Sequence, residues 1–259
     1  MADREELRAI FDEDAERYQR ARPGYPAALF DDLHRFAEVG PGARVVEIGP
    51  GTGQATAVLA AGGPHLVAVE LGAALAGTLR RRLAGVPVEV SAFEDWPLPA
   101  RPFDTVVAFT AWHWLDPQVR AAKVAVALRP GGTLATVATL HVRGGTAEFF
   151  DHAQDCYLRW DPDVTQPERL PELDSVPPDR DEIDDDARFE PARRLRYVQD
   201  VRYPTQSYLD LLGTYSGHRA LDPDRREGLL GCIAGLIDGR YGGAIVKRYG
   251  YELRLARRR

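Results

Sequence analysis

The sequence predicts an α/β fold built on a largely parallel sheet, and three features lead there. From Ala43 to Leu140, short β-rich runs alternate with Ala/Leu-rich segments of helical length. Runs such as Val106 to Phe109 lack polar alternation, so both faces of those strands should be covered, as in sheets flanked by helices. The first strand also runs directly into three alternating glycines, a turn that opens a ligand site at the carboxyl end of a strand.

The elements follow in order. Residues 3–38 read as helical, with Leu7, Ile10, Phe11, Ala15 and Tyr18 at three- and four-residue spacings. RARPGYP (20–26) interrupts them, and a second segment from Pro26 carries Leu29, Phe30, Leu33 and Phe36. Strands are expected at 43–48, 65–71, 87–91, 103–110 and 133–140, with helices near 53–61, 72–83 and 117–128. Beyond Leu140 the pattern weakens. Residues 146–160 read as a helix, whereas 161–191 are rich in proline and acid, with six carboxylates in 179–187. That run is expected to be a solvated or mobile loop. Helices return near 205–215 and 223–239, residues 247–256 alternate like a closing strand, and Arg257 to Arg259 read as a frayed terminus.

Composition narrows the class. The 259 residues are 44% hydrophobic and 28% charged, ordinary for a globular protein, and the net charge of -6 argues against a nucleic-acid partner. No run approaches the roughly 18–20 apolar residues of a membrane span, and MADREELRAIF is charged where a signal peptide is apolar. A soluble cytoplasmic protein, monomer or homodimer, is the expectation. Cys156 and Cys232 are too few for a disulfide framework. Lys123 and Lys247 are the only lysines, so 31 of 33 basic residues are arginine and arginine clusters carry less weight than usual.

The strongest motif is VVEIGPGTGQAT (45–56). Glycines here allow a sharp turn and close approach of a ligand, and the following helix presents unpaired N–H groups. A dinucleotide fingerprint, G-x-G-x-x-G, would need glycine at position 54 or 56, where Gln54 and Thr56 stand. Glu47 ahead of the turn would repel pyrophosphate but suits a cationic amino-acid group. Glu70 ends the second strand 17 residues after Gly53, where a carboxylate can accept both ribose hydroxyls, with Leu71 beside it for an adenine face.

With SAFEDWPLP (91–99), FDTVVAFTAWHWLDP (103–117) and LRPGGTL (128–134), these motifs make the chain resemble the class I S-adenosylmethionine-dependent methyltransferases. The resemblance is closest to the small-molecule branch that includes trans-aconitate methyltransferase-like proteins, and it covers residues 11–140 best. It implies a Rossmann-like, seven-stranded, mostly parallel sheet with helices on both faces. Residues 1–40 would form an N-terminal helical cover, 41–140 the cofactor core, and 141–259 the inserted acceptor lid and closing strands. It also implies that Glu47, Gly49, Gly51, Gly53 and Gln54 hold the methionine part of the cofactor, and Glu70 the ribose. Phe93 and Glu94 would meet adenine; Ala92 stands where many relatives have aspartate, leaving that bond to a backbone carbonyl or Glu94. Thr110 and Ala111 would line the sulfonium side, with Tyr18 and Arg22 closing over the cofactor.

Methyl transfer is an in-line displacement that rests on alignment and water exclusion, and a base is needed only for a protonated acceptor. His113, between Trp112 and Trp114, is the first candidate to assist the acceptor, and His141, after the fifth strand, the second. Trp112, Trp114, Trp160, Tyr215 and His218 are candidate acceptor walls in a small-molecule site. No HxxH, HExxH or metal-spaced carboxylate cluster appears, so no metal is expected. The alternatives are an NAD-dependent oxidoreductase and a protein that binds the cofactor without methyl transfer.

Overall fold

The computed structural model describes residues 19–259; Tyr18 and the expected helix ahead of it lie outside the described residues. In chain order come α1 (Ala27–Phe36), β1 (Arg44–Ile48), α2 (Gln54–Ala61), β2 (His65–Glu70), α3 (Ala73–Arg82), β3 (Val88–Val90), β4 (Phe103–Phe109), α4 (Arg120–Ala127) and β5 (Leu128–Gly145). The second half adds α5 (Ala147–Trp160), α6 (Glu182–Asp185), β6 (Arg193–Pro204), α7 (Thr205–Leu212), α8 (Ser216–Ala220), α9 (Pro223–Arg240) and β7 (Ala244–Arg257).

The seven strands form one sheet in the order β3-β2-β1-β4-β5-β7-β6. β1 to β5 pair in parallel, and β7 runs antiparallel between β5 and β6. Strand order reverses between β1 and β4, the place where doubly wound sheets open a crevice for a ligand. Period-two alternation sorts the core onto two faces. Val45, Val107, Phe109 and Val137 pack with Leu29 and Leu33 of α1, Leu59 of α2 and Ile233 of α9. Val46, Ile48, Val106 and Leu134 pack on the other face with Val124 of α4.

The second half departs from expectation in four places. β5 extends well past 133–140, because β7 pairs with it from Thr133 to Gly145. β6 was not anticipated: charged residues are as many as the hydrophobic ones along this strand at the sheet edge, although Leu195, Tyr197, Val201 and Tyr203 alternate inward. The acidic run is anchored rather than solvated. Asp181 accepts two bonds from the buried Arg254 (2.6 and 2.8 Å) and one from Trp112 Nε1 (2.6 Å), while Glu182 pairs with buried Arg120 at 2.6 Å. Two buried guanidiniums need countercharge, and this segment supplies it. Burial alone would raise the Asp181 carboxyl pKa; Arg254, Trp112 and the Ile183 N–H outweigh it and hold the pKa below the ordinary value.

The arginine tail is likewise ordered. Arg258 N–H donates to the Gly132 carbonyl (2.8 Å), its own carbonyl accepts from Gly131 N–H (2.9 Å), and Arg259 N–H donates to Arg188 (2.9 Å). Cys156 of α5 and Cys232 of α9 form a disulfide, one tie between packed helices where the cysteine count predicted no framework. Among the described residues, no helix is long and apolar enough to cross a membrane.

Candidate active site

The crevice is built from the ends of β1, β2 and β4. After Ile48 the chain turns through Gly49, Gly51 and Gly53, whose φ angles of 62°, 59° and 91° lie in the left-handed region that favours glycine. A Cβ on Gly49 would also lie 2.6 Å from the Ala111 Cβ, so the turn can pass the end of β4 only without a side chain. Gly53 leads into α2 with no side-chain cap, leaving the first-turn N–H groups without that partner. Glu70, 6% exposed at the end of β2, ties the turn down: its carboxylate accepts the Gly51 N–H at 2.9 Å and the Gly72 N–H at 2.8 Å.

Glu47 is the anomaly of the site. It is 1% exposed, lines the crevice, and neither carboxylate oxygen has a hydrogen-bond partner among the described residues. Burial, with a smaller contribution from the Glu70 charge, raises its pKa to about 7, and the neighbouring Thr56 hydroxyl offsets only part of that. A buried carboxylate without a donor costs stability unless a cation completes it.

At the end of β4, Thr110 has φ 53°, outside the comfortable range of a β-branched residue. It is held there by its N–H to the Val137 carbonyl (2.7 Å) and by hydroxyl contacts with Tyr25 (3.1 Å) and Thr139 (2.8 Å). Two recesses meet at Thr110, and a third opens beyond them. The crevice between Glu47 and Glu70 also takes in Leu71, Ser91, Thr110 and Trp114. A recess of about 230 Å³ shares Tyr25, Gln54 and Thr110 with it and adds His113, Thr139 and His141. Beyond His141 and Tyr215 lies a cavity of about 790 Å³.

The expected site residues divide between these spaces. Glu47, Gly49, Gly51, Gln54, Glu70, Leu71, Phe93, Thr110, Ala111 and Trp114 line the crevice. Gly53 is buried beneath it against Leu79. His113 and His141 meet at the middle recess, while Tyr215 and His218 face the outer cavity. Five placements differ from expectation. Arg22 lines the middle recess rather than the crevice, with its guanidinium on the Thr214 hydroxyl (3.0 Å) and carbonyl (3.2 Å) and over the Tyr215 ring. Trp112 is buried under Arg120 with its N–H spent on Asp181, and Trp160 covers Gly228 of α9, so both indoles serve packing. The Ala92 carbonyl caps its own turn by accepting the Asp95 and Trp96 N–H groups. Glu94 accepts the Asp116 N–H at 2.9 Å, and Ser91 stands at the crevice instead of either.

Sequence reading missed Tyr25, Thr139, Tyr249 and Lys247. Tyr25 sits in the helix break that was itself noticed; the others lie on strands whose partners were unknown. Among the described residues no group of three or more His, Cys, Asp or Glu side chains converges as a metal site.

Known proteins resemble this chain most in the crevice half. A family model described as a methyltransferase domain matches residues 46–136. An uncharacterized methyltransferase of Mycobacterium tuberculosis is 37% identical over 120 residues, covering 46% of this chain and 48% of the relative. A methyltransferase of Aspergillus terreus is 30% identical over 149 residues, 55% of this chain and 45% of its own. The chain thus spans about half the length of the curated relatives it matches. Among solved structures, an Anaeromyxobacter dehalogenans protein assigned as a type II methyltransferase is 26% identical with TM-score 0.59, covering 92% of this chain and 97% of its own. Phosphoethanolamine N-methyltransferase 2 of Haemonchus contortus shares the fold alone, at 16% identity and TM-score 0.51 over 95% of this chain and 59% of its own. With the glycine turn, the two crevice acids and the β7-reversed sheet, residues 46–136 are a class I S-adenosylmethionine-dependent methyltransferase domain.

Proposed function

We propose that the protein methylates a small organic acceptor, using S-adenosylmethionine in the crevice and holding the acceptor in the adjoining recess. The observation that carries this reading is Glu47, a fully buried carboxylate lacking a donor beside a turn no side chain could enter. That pairing fits an amino-acid ammonium approaching the backbone closely. In this reading Glu70 takes the ribose hydroxyls, which is supported by one oxygen being oriented by Gly51 and the other by Gly72 at the crevice. Leu71, 42% exposed, offers an apolar face for adenine. When bound, the cofactor supplies a methyl group on a positively charged sulfur.

The chain's own task is then alignment, exclusion of water and custody of a proton. Thr110, fixed from three sides, sets the wall between crevice and recess, and Tyr25 closes it from the N-terminal segment. Burial, followed by the charges of Lys247 and Arg22, pushes the His141 pKa down to about 3, although its ring surface stays open to the recess. So weak a base orients an acceptor by hydrogen bonding and does not deprotonate it at neutral pH. Where the acceptor arrives as a phenol or alcohol, His113, exposed at the recess, is the residue placed to take the proton. S-adenosylhomocysteine should raise the melting temperature while NAD does not. The reverse pattern would overturn the reading.

A further inference from the structure

Lys247 is the only lysine in the second half of the chain, and its surroundings are unusual. It lies in the middle of β7, 5% exposed, and faces the 790 Å³ cavity. Among the described residues it makes no hydrogen bond or ion pair; its ammonium lies over the Phe150 and Tyr249 rings, at 4.8 and 5.3 Å from their centroids. Burial lowers its pKa to about 8. The acids that line the same cavity, Asp161, Asp163 and Glu168, sit on the 161–168 loop at its mouth, and Asp163 and Glu168 are exposed. Elsewhere in this protein buried cations are paired: Arg254 and Arg120 each hold carboxylates. An uncompensated ammonium on the wall of a large cavity is therefore a cost that the fold itself does not recover.

The geometry points to an acceptor that carries an anionic group, a carboxylate or a phosphate ester, held by Lys247 in the outer cavity. The anion is an anchor and not the methylated atom, because the Lys247 cavity shares no lining residue with the cofactor crevice and adjoins the middle recess at His141 and Tyr215. Phe150, Tyr157, Tyr208 and Tyr215 also line the space, so the body between anchor and reacting atom is apolar or aromatic. Burial keeps the Tyr157 and Tyr208 hydroxyls protonated, so they present dipoles and no competing charge. This inference rests on the methyltransferase reading but is testable apart from it.

With only two lysines, 15N-lysine labelling gives side-chain signals from Lys123 and Lys247 alone, assigned by Lys247→Met. Protein in mildly acidic buffer with S-adenosylhomocysteine is titrated with 4-hydroxyphenylacetate, 4-hydroxyphenyl phosphate and the neutral 4-hydroxyphenylacetamide. The expected result is a saturable shift of the Lys247 signal by one or both anions, which bind about ten- to a hundred-fold tighter than the amide. Whichever anion binds tighter identifies the anchor. Lys247→Met should abolish the preference and Lys247→Arg should keep part of it, both with unchanged S-adenosylhomocysteine affinity. No Lys247 shift with either anion, equal binding of the amide, or a preference that survives in Lys247→Met would each overturn the inference. Failure of wild-type protein to bind S-adenosylhomocysteine would instead remove the methyltransferase reading.

Discussion

Glu47 in the cofactor half and Lys247 in the acceptor half are opposite in charge and alike in circumstance. Each is almost wholly buried, each faces a cavity, and neither is paired with an opposite charge among the described residues. Asp181 and Arg254 form the contrasting case, with a half-buried carboxylate against a buried guanidinium and both distances within bonding range. Paired charges tie β7 to the acidic segment and hold architecture. Unpaired ones mark where a ligand must finish the electrostatics, and perturbed carboxyls and amines in clefts are where function is usually found.

The contrast can be broken by substitution. Asp181→Ala should have the largest effect, about 3–5 kcal/mol of stability lost, because it removes both short carboxylate bonds from buried Arg254 and leaves only the more distant Asp184 as countercharge. Urea unfolding measures it, and a loss below about 1 kcal/mol would make the pair an ornament of the surface.

Glu47→Gln should act in the opposite direction on stability. Its folded pKa of about 7 lies above the unfolded value, so folded protein binds the extra proton and stability falls as pH rises from 4.5 through 7. The full cost is about 3 kcal/mol. The amide should therefore stabilise the ligand-free protein at alkaline pH and not at acidic pH, while weakening S-adenosylhomocysteine about a hundred-fold. Denaturation on both sides of neutrality, with titration calorimetry, reads both effects. A destabilised amide variant at alkaline pH would mean Glu47 already has a partner.

Lys247→Met should be the mirror image and somewhat smaller, since the cavity keeps some water near the ammonium. Its folded pKa of about 8 lies below the unfolded 10.5, so the cost is fully present below about pH 8 and fades as pH rises toward 10.5. The methionine variant should gain about 2 kcal/mol at neutral pH and progressively less in alkali, by thermal unfolding against pH. A loss of stability at neutral pH would place Lys247 with the paired charges.

The same contrast shows what sequence reading can reach. β1 to β4 and the glycine turn were readable because apolar strands and φ-demanding glycines are local properties. Glu47 and Glu70 were found for the same reason, each lying next to a strand end in a continuous stretch of chain. β6 and the full lengths of β5 and β7 depend on pairing between segments far apart in the chain, as in Thr133 with Arg257 and Arg193 with Leu255, and a long-range register leaves no local pattern. The acidic run looked like a solvated loop because its countercharges, Arg120 and Arg254, lie 62 and 73 residues away from their partners. Lys247 looked like an ordinary strand residue for a related reason: Tyr249 is near it in sequence, but Phe150 and the cavity it faces are brought to it from distant segments. Trp112 misled because its place just beyond β4 suggested an acceptor wall, whereas its indole N–H is held by Asp181 from a distant segment. Trp160 is drawn instead against Gly228 of α9.

Binding of S-adenosylhomocysteine by isothermal titration, in wild-type protein and in Glu70→Ala, tests the central claim most directly. The account predicts one site per chain with a dissociation constant on the order of micromolar, weakened about ten-fold or more by the alanine in a protein that still unfolds cooperatively. Absence of binding to the folded wild-type protein at about millimolar ligand would contradict it.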